Sequence, residues 1–363
     1  MGNRSRALVI ALGIFFVGVA VLAKFYAYPT LAVAPADQVA HTVSVGADAT
    51  IFSVADLAEK TGVELESRRT VRGDVVAAER IGKALGRDVV VFDTAVVTDD
   101  SKDYKFPDDT TKDAAKTELA PLSFVQERVV LDAHTGEAVR WNPSDPGDNS
   151  GEYITTTLKP EDRLKPEEGS PFFQGHEGLV LKFPFGTEKK TYKFWDTTTR
   201  KAYPISFKRE AELNGLKVYV FEQDVPKQDL PQAKPLLVPG KLVGEQGLDS
   251  VEVQRSYQNT RTLWIEPVTG AIIKGQEQQL ATLDYQGDAK VTATRVTIAY
   301  DDATVKKNIE GARENGRDEG GYQDKAAQLQ LIGFWVPLVA LVVGLLLLGL
   351  VVVLSIRRRP ASG

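Results

Sequence analysis

Apolar positions in this chain follow two different rhythms. Near the C-terminal end, Leu331 to Ile356 forms 26 consecutive residues without a charge, followed by Arg357, Arg358 and Arg359. At about 1.5 Å per residue this makes a helix of roughly 39 Å, longer than the roughly 30 Å hydrocarbon core of a bilayer. The arginines place the tail on the cytoplasmic side by the positive-inside rule, and Trp335 stands where an interfacial anchor belongs. A second apolar run, Ala7 to Ala23, is preceded by Arg4 and Arg6 and followed by Lys24, Phe25 and Tyr26. A cleaved signal peptide shares this layout. The small-residue site beyond the run, Ala32-Val33-Ala34, is followed by Pro35, which disfavours cleavage, so an uncleaved anchor is expected.

Between the two runs the period is two. Thr42–Ser53, Val63–Val71, Asp88–Val97, Glu127–Asp132 and Lys290–Tyr300 alternate apolar with polar or run β-branched, and they predict strands. Helical spacing is confined to Ser53–Thr61, Ala77–Leu85 and Asp302–Leu331, the last interrupted by Gly316, Gly320 and Gly321. Thr98–Asp113 and Asn142–Gly151 carry loop chemistry. The expected fold is a mainly β, barrel-like exported domain with a few helices, flanked by an N-terminal and a C-terminal transmembrane helix. Its expected divisions are 1–6 (cytoplasmic), 7–23 (membrane), 24–330 (exported), 331–356 (membrane) and 357–363 (cytoplasmic).

Charge and composition narrow the function. Setting aside the five terminal arginines, 39 of the 44 basic residues remain against 49 acidic ones, so the exported part carries about −10. That balance argues against nucleic acid as a partner and against electrostatic attraction to anionic headgroups. The absence of cysteine excludes disulfides, zinc–thiolate sites and thiol nucleophiles, and points to a prokaryotic ectodomain.

Two hairpins share a pattern: Val130–Val139, with Asp132, Thr135 and Gly136, and Trp264–Ile273, with Glu266, Pro267, Thr269 and Gly270. Each sets an acid three residues before Thr-Gly, so that glycine supplies a positive φ and the acid accepts from turn amides. The stretch Tyr257–Leu280 resembles the Glu-Pro-hydrophobic-Thr-Gly stretch of class B scavenger receptors, with Gln278 or Gln279 in place of a glutamine on the following strand. Those receptors also carry a membrane span at each terminus and a β-rich domain enclosing an apolar lipid tunnel. Over nearly the full length the chain is similar to an actinobacterial envelope family of PorA-type porins. That similarity runs through both spans, the Asp132–Val139 hairpin, Gly178–Asp196, Leu216–Glu222 and Trp264–Gly270. It implies an envelope protein of a mycolate-type bacterium that forms channels or binds mycolate glycolipids.

Nine of 30 aromatics fall between Phe183 and Phe221. Phe183, Phe185, Tyr192, Phe194, Trp195, Tyr219 and Phe221 are the candidate lipid-binding residues, although ordinary core packing uses the same side chains. Lys182, Lys189, Lys190 and Lys193 alternate with them and predict a solvated opposite face. His134 with Asp132 and Glu137 reads as turn chemistry, and His176 as a loop histidine. No nucleophile elbow or zinc-protease helix occurs. Asp145, Asp148, Asn149 and Glu152 form an oxygen-rich loop without EF-hand spacing. The expectation is a non-enzymatic protein without metal or cofactor, whose partners are the bilayer, a long-chain lipid or glycolipid ligand and other envelope lipid-transport proteins. Its exported domain conveys that lipid; the alternatives are a porin-like channel and an envelope scaffold.

Overall fold

A computed structural model describes residues 3–100, 104–113, 121–140, 152–156, 174–230, 235–312 and 323–356. In chain order the elements are α1 (Asn3–Leu22), a π-helical turn (Ala23–Ala27), α2 (Tyr28–Leu31), β1 (Val39–Ser53), β2 (Ala58–Gly73), α3 (Val75–Leu85) and β3 (Val89–Asp99). They continue as α4 (Thr110–Asp113), β4 (Ser123–Asp132), β5 (Tyr153–Thr155), β6 (Tyr192–Asp196), β7 (Lys201–Leu213), β8 (Leu216–Asp229), β9 (Leu236–Val238) and β10 (Val251–Ile265). The last are β11 (Ile272–Tyr285), β12 (Asp288–Tyr300), α5 (Asp302–Ala312), α6 (Gln323–Gln330), a second π-helical turn (Leu331–Trp335) and α7 (Val336–Ile356). Residues 1–33 with 311–363 form one compact unit and 34–310 the other.

In the helical unit, two helices are long and apolar enough to cross a membrane, over Arg4–Leu31 and Ala327–Ser355. They pack antiparallel: Arg6 donates to the Leu354 carbonyl near one end, and Lys24 donates to the Gly333 carbonyl (3.1 Å) near the other. Small residues make the contact possible, because a Cβ on Gly13 would stand 2.7 Å from Leu348 and one on Gly344 would stand 2.9 Å from the Gly13 carbonyl. Apolar surface between helices gains nothing over lipid, so close backbone approach and van der Waals packing hold such a pair.

The second unit is an antiparallel half-barrel in the order β5-β4-β3-β2-β1-β12-β11-β10-β8-β7-β6, with β9 beside β10. Isolated bridges Leu131–Ala138, Glu137–Leu179 and Leu179–Phe194 then join the end of β4 to β6. Alternation of side chains assigns one face of the sheet to the interior. On the outer face, α3 lays Ala77, Ala78 and Ile81 on Val89, Val91 and Val130. This helix is capped by Asp74, whose side chain accepts from the Ala77 amide, and it stops at left-handed Gly86.

All five expected strands form, as parts of β1, β2, β3, β4 and β12, and Ala77–Leu85 lies within α3. The helix expected over Ser53–Thr61 does not form. Ser53 and Asp56 make the contacts of a helix cap (Ser53 Oγ to Asp56 Oδ2, 2.7 Å; Asp56 N to Ser53 Oγ, 3.2 Å), but they close the β1–β2 hairpin, with Leu57 at φ +50°. Short-range capping chemistry suits a tight turn as well as a helix start, and the long β1–β2 ladder decides between them. In the helix expected over Asp302–Leu331, residues 313–322, including Gly316, Gly320 and Gly321, lie outside the described residues. So do Arg357–Arg359, Asp145, Asp148 and Asn149.

Candidate functional site: a charged belt inside the half-barrel

The inner face carries a belt of charge where the strand pattern alone would suggest apolar filling. Glu127 on β4 shares its face with Val125, Val129 and Leu131, yet its carboxylate is buried. It accepts from Trp195 Nε1 (3.2 Å) and Thr197 Oγ1 (3.0 Å), and faces His176 Nε2 at 3.4 Å. The other imidazole nitrogen, Nδ1, lies 3.0 Å from Glu152 Oε1. His176 is therefore no loop histidine exposed to water: it is 1% exposed, clamped between two carboxylates, with its ring tilted 54° against that of Trp195. Burial pushes its pKa down, but hydrogen bonds and charge from Glu127 and Glu152 outweigh that and raise it to about 9. Burial raises the Glu127 carboxyl, while the bonds from His176, Trp195 and Thr197 bring it below the ordinary glutamate value.

The belt continues on β10. Arg261 reaches three strands: Nη2 to Asp196 (3.1 Å), Nε to Glu277 (2.8 Å), and Nη1 to the Gln223 side chain (2.7 Å) and the Trp195 carbonyl (3.1 Å). Gln223 and Glu277 are its direct cross-strand neighbours on β8 and β11. The Gln223 amide is fixed in turn by donating to the Phe194 carbonyl at 2.7 Å. Glu277 also accepts from Asn259 (3.0 Å) and Gln279 (2.6 Å). Burial raises Glu277, but the Arg261 guanidinium more than offsets this and holds it at about 2. Asp196, with a side chain only 1% exposed against 23% for Glu277, stays above the usual aspartate range because burial outweighs the Arg261 charge and the Thr199 bonds.

Beyond the belt the same face turns apolar. Leu179, Phe183, Phe194, Ile205, Phe221, Leu263 and Ile265 pack together, with Tyr192, Phe207 and Tyr219 half-buried against them. Phe183 meets Phe221 at 4.7 Å and Tyr192 at 5.4 Å between ring centroids. Of the candidate lipid-binding residues, Phe183, Phe194, Phe221, Tyr192 and Tyr219 share this cluster, Trp195 serves the belt, and Phe185 lies half-buried beneath the Lys182 amine. The aromatic rings fill one another's space. Two open concavities, of about 510 and 490 Å³, are lined mainly by polar residues such as Gln228, Asp229 and Gln254, or Gln258, Gln278 and Thr297. Lys189, Lys190 and Lys193 are exposed as expected, whereas Lys182 is buried.

Both Thr-Gly turns take one geometry. Asp132 Oδ1 accepts from the amides of His134 (2.9 Å) and Thr135 (2.8 Å), and Glu266 accepts from those of Val268 and Thr269, both 2.8 Å. Gly136 and Gly270 stand at φ +73° and +75°. A third copy went unread in the sequence: Asp196-Thr-Thr-Thr199-Arg200, where Asp196 accepts from the Thr199 amide (2.9 Å) and Arg200 adopts φ +56° in glycine's place. Trp264 lies half-buried on the other side of β10, with the Lys274 amine 4.9 Å from its ring. Glu152, considered for a calcium loop, is committed to His176. Among the described residues no group of three or more His, Cys, Asp or Glu is arranged to hold a metal ion.

Two membrane-length apolar helices, one before and one after an antiparallel half-barrel in the sequence, point to a membrane or envelope protein. The sequence profile of the family described as Porin PorA matches residues 6–353, and the chain belongs to that family. It is 30% identical over 238 residues to a protein of Corynebacterium resistens described as Porin PorA, covering 51% of this chain and 57% of that one. A protein of Corynebacterium amycolatum with the same description is 26% identical over 178 residues, covering 38% and 46%. The chain thus spans about half the length of these curated relatives. The likeness to class B scavenger receptors and the lipid-conduit reading gain no support from these comparisons.

Proposed function

We propose that the protein is a channel-forming component of the cell wall, the alternative set beside the lipid conduit by the sequence. The observation that carries this reading is membership of the Porin PorA family across residues 6–353, a stretch that takes in both apolar helices. Porins are channel proteins rather than enzymes. The close approach of Gly13 and Gly344 leaves no lumen within one helix pair, and the charged belt and aromatic cluster occupy the inner face of the half-barrel. A pore therefore needs several copies of the chain. The antiparallel packing of the helices and the arginines at positions 4, 6 and 357–359 support a reading with both termini on the cytoplasmic side and the half-barrel exported.

Purified full-length protein added to planar bilayers is expected to give discrete conductance steps whose frequency rises steeply with protein concentration. Gly13→Leu, which forces the helix pair apart, is expected to lower step frequency at least tenfold while the β unit keeps its circular dichroism. Silence of the unmodified protein across concentrations and voltages rules the channel reading out.

A further inference from the structure

The segment Gly178–Thr187 lies outside the strand ladders and runs between the two Thr-Gly turns. At one end the Gly178 carbonyl accepts from the Ala138 amide (2.8 Å), while Leu179 bridges to β6. At the other end the amides of Phe183, Gly186 and Thr187 donate to the carbonyls of Gly270 (2.9 Å), Val268 (2.9 Å) and Pro267 (2.7 Å). A Cβ on Gly270 would collide with the Phe183 carbonyl, and one on Gly136 would stand 3.0 Å from the Lys182 side chain, so both turns are shaped to receive this strap. Gly178 and Gly186, which flank it, are both left-handed at φ +66°. The strap lies at the end where the chain enters and leaves the half-barrel: the Ala34 amide donates to the Ala133 carbonyl of the first turn, and β12 ends at Tyr300 beside Ser44 of β1.

At mid-strap sits a group at odds with its surroundings. Lys182 is 6% exposed and its amine has no hydrogen-bond partner. Its close neighbour is the Phe185 ring, 4.0 Å away on the strap itself, so that contact travels with the strap. The charged group acting on it from the facing turn is Asp132, already committed to Arg87 and to the turn amides. Glu137 on that turn, Glu177 and Glu188 beside the strap and Lys193 on β6 are exposed, and His134 is half-exposed beside Asp88. An unpaired amine in such a site is relieved only by losing its proton or by leaving.

We propose that Gly178–Thr187 is a hinged strap closing one end of the half-barrel, with buried Lys182 as the element that drives it open. Burial lowers the Lys182 amine to about 7, with Asp132 pulling weakly the other way, against an ordinary value of 10.5. Opening returns the amine to water, so it takes up a proton between about pH 7 and 10.5 and is favoured as pH falls across that window, levelling off below it. This inference does not rest on the channel reading, since its test reads the strap and not conductance.

The chain has no cysteine, so one placed at Val180, 7% exposed on the strap, reports opening by its rate of labelling with a methanethiosulfonate reagent. The full-length Val180→Cys protein is expected to label at least tenfold faster than a Val220→Cys control, Val220 being 3% exposed on β8. Adding Lys182→Met is expected to slow Val180→Cys labelling at least tenfold at pH 6. The ratio of rates with and without the lysine should then fall by up to about a hundredfold by pH 9. That ratio isolates Lys182 from His176, whose proton balance runs the other way. Equal rates with and without Lys182, a ratio that ignores pH, or labelling no faster than at Val220→Cys would overturn the proposal. Should the cysteine variants fail to fold, amide exchange of residues 178–187 in Lys182→Met and in the unmodified chain decides the same question: slower exchange in Lys182→Met supports the strap, unchanged exchange refutes it.

Discussion

Arg261→Ala is expected to lower the stability of the half-barrel by about 3–5 kcal/mol, the range for removing one partner of a buried ionic group. The guanidinium joins β10 to β8, β11 and the Asp196 turn, and its removal takes from Asp196 and Glu277 the cation hydrogen-bonded to both. Its planar fork meets four acceptors at once, more than the three donors of a lysine ammonium can serve, so Arg261→Lys is expected to recover little. The triple variant Arg261→Met, Asp196→Asn, Glu277→Gln removes the charges together and should regain part of the loss, because no buried charge is then left without its partner. Urea unfolding of the full-length protein in detergent, followed by far-ultraviolet circular dichroism, measures all three. A loss below about 1 kcal/mol for Arg261→Ala would mean that water reaches the belt.

How much of this was legible beforehand differs between the ladders and the belt. Strand alternation is local and repeats along each segment, so β1, β3, β4 and β12 could be read from their apolar positions. The two glycine turns were legible for the same reason: an acid, a threonine and a glycine within five residues specify one geometry. The third turn hid because Arg200 stands where glycine was sought, its left-handed backbone fixed by the Asp196 carbonyl and side chain. Glu127 could have been suspected from strand parity, since it shares a face with Val125, Val129 and Leu131. His176 carries no such mark: it lies on a short irregular stretch, and what buries it are residues 24 and 49 positions away in sequence. Lys182 was assigned to solvent by alternation that ceases to hold there, because its segment is a strap outside the ladders. The aromatic cluster shows the limit in reverse. Composition located it, but only the packing of the rings tells a filled interior from an open one.

His176→Gln is expected to destabilise the half-barrel most at low pH and progressively less as pH rises, a sign opposite to ordinary alkaline unfolding. The folded-state pKa of about 9 lies above the histidine reference of 6.5. Its stabilisation is therefore fully present below about pH 6.5 and is lost as pH rises through 9, a shift equivalent to about 3 kcal/mol. Glutamine keeps a donor but not the charge, so at pH 6 the variant should fall short of the unmodified protein by about 3 kcal/mol. By pH 10, where the unmodified imidazole is neutral too, the gap should close to below about 1 kcal/mol. Lys182 contributes in the opposite direction between about pH 7 and 10.5, so the unmodified protein's own curve mixes the two effects. The difference between the two proteins at each pH removes the lysine and leaves the histidine. Urea midpoints at pH 6, 8 and 10 suffice, and a gap that widens with pH would mean that His176 is neutral in the folded protein. Because His176 stands two residues before Gly178, the clamp also fixes the root of the strap against Glu127 on β4. Between about pH 7 and 9, loss of the clamp frees the strap from its root as pH rises while loss of the Lys182 proton holds it shut, so the two oppose each other there, and above about pH 9 the Lys182 effect alone remains.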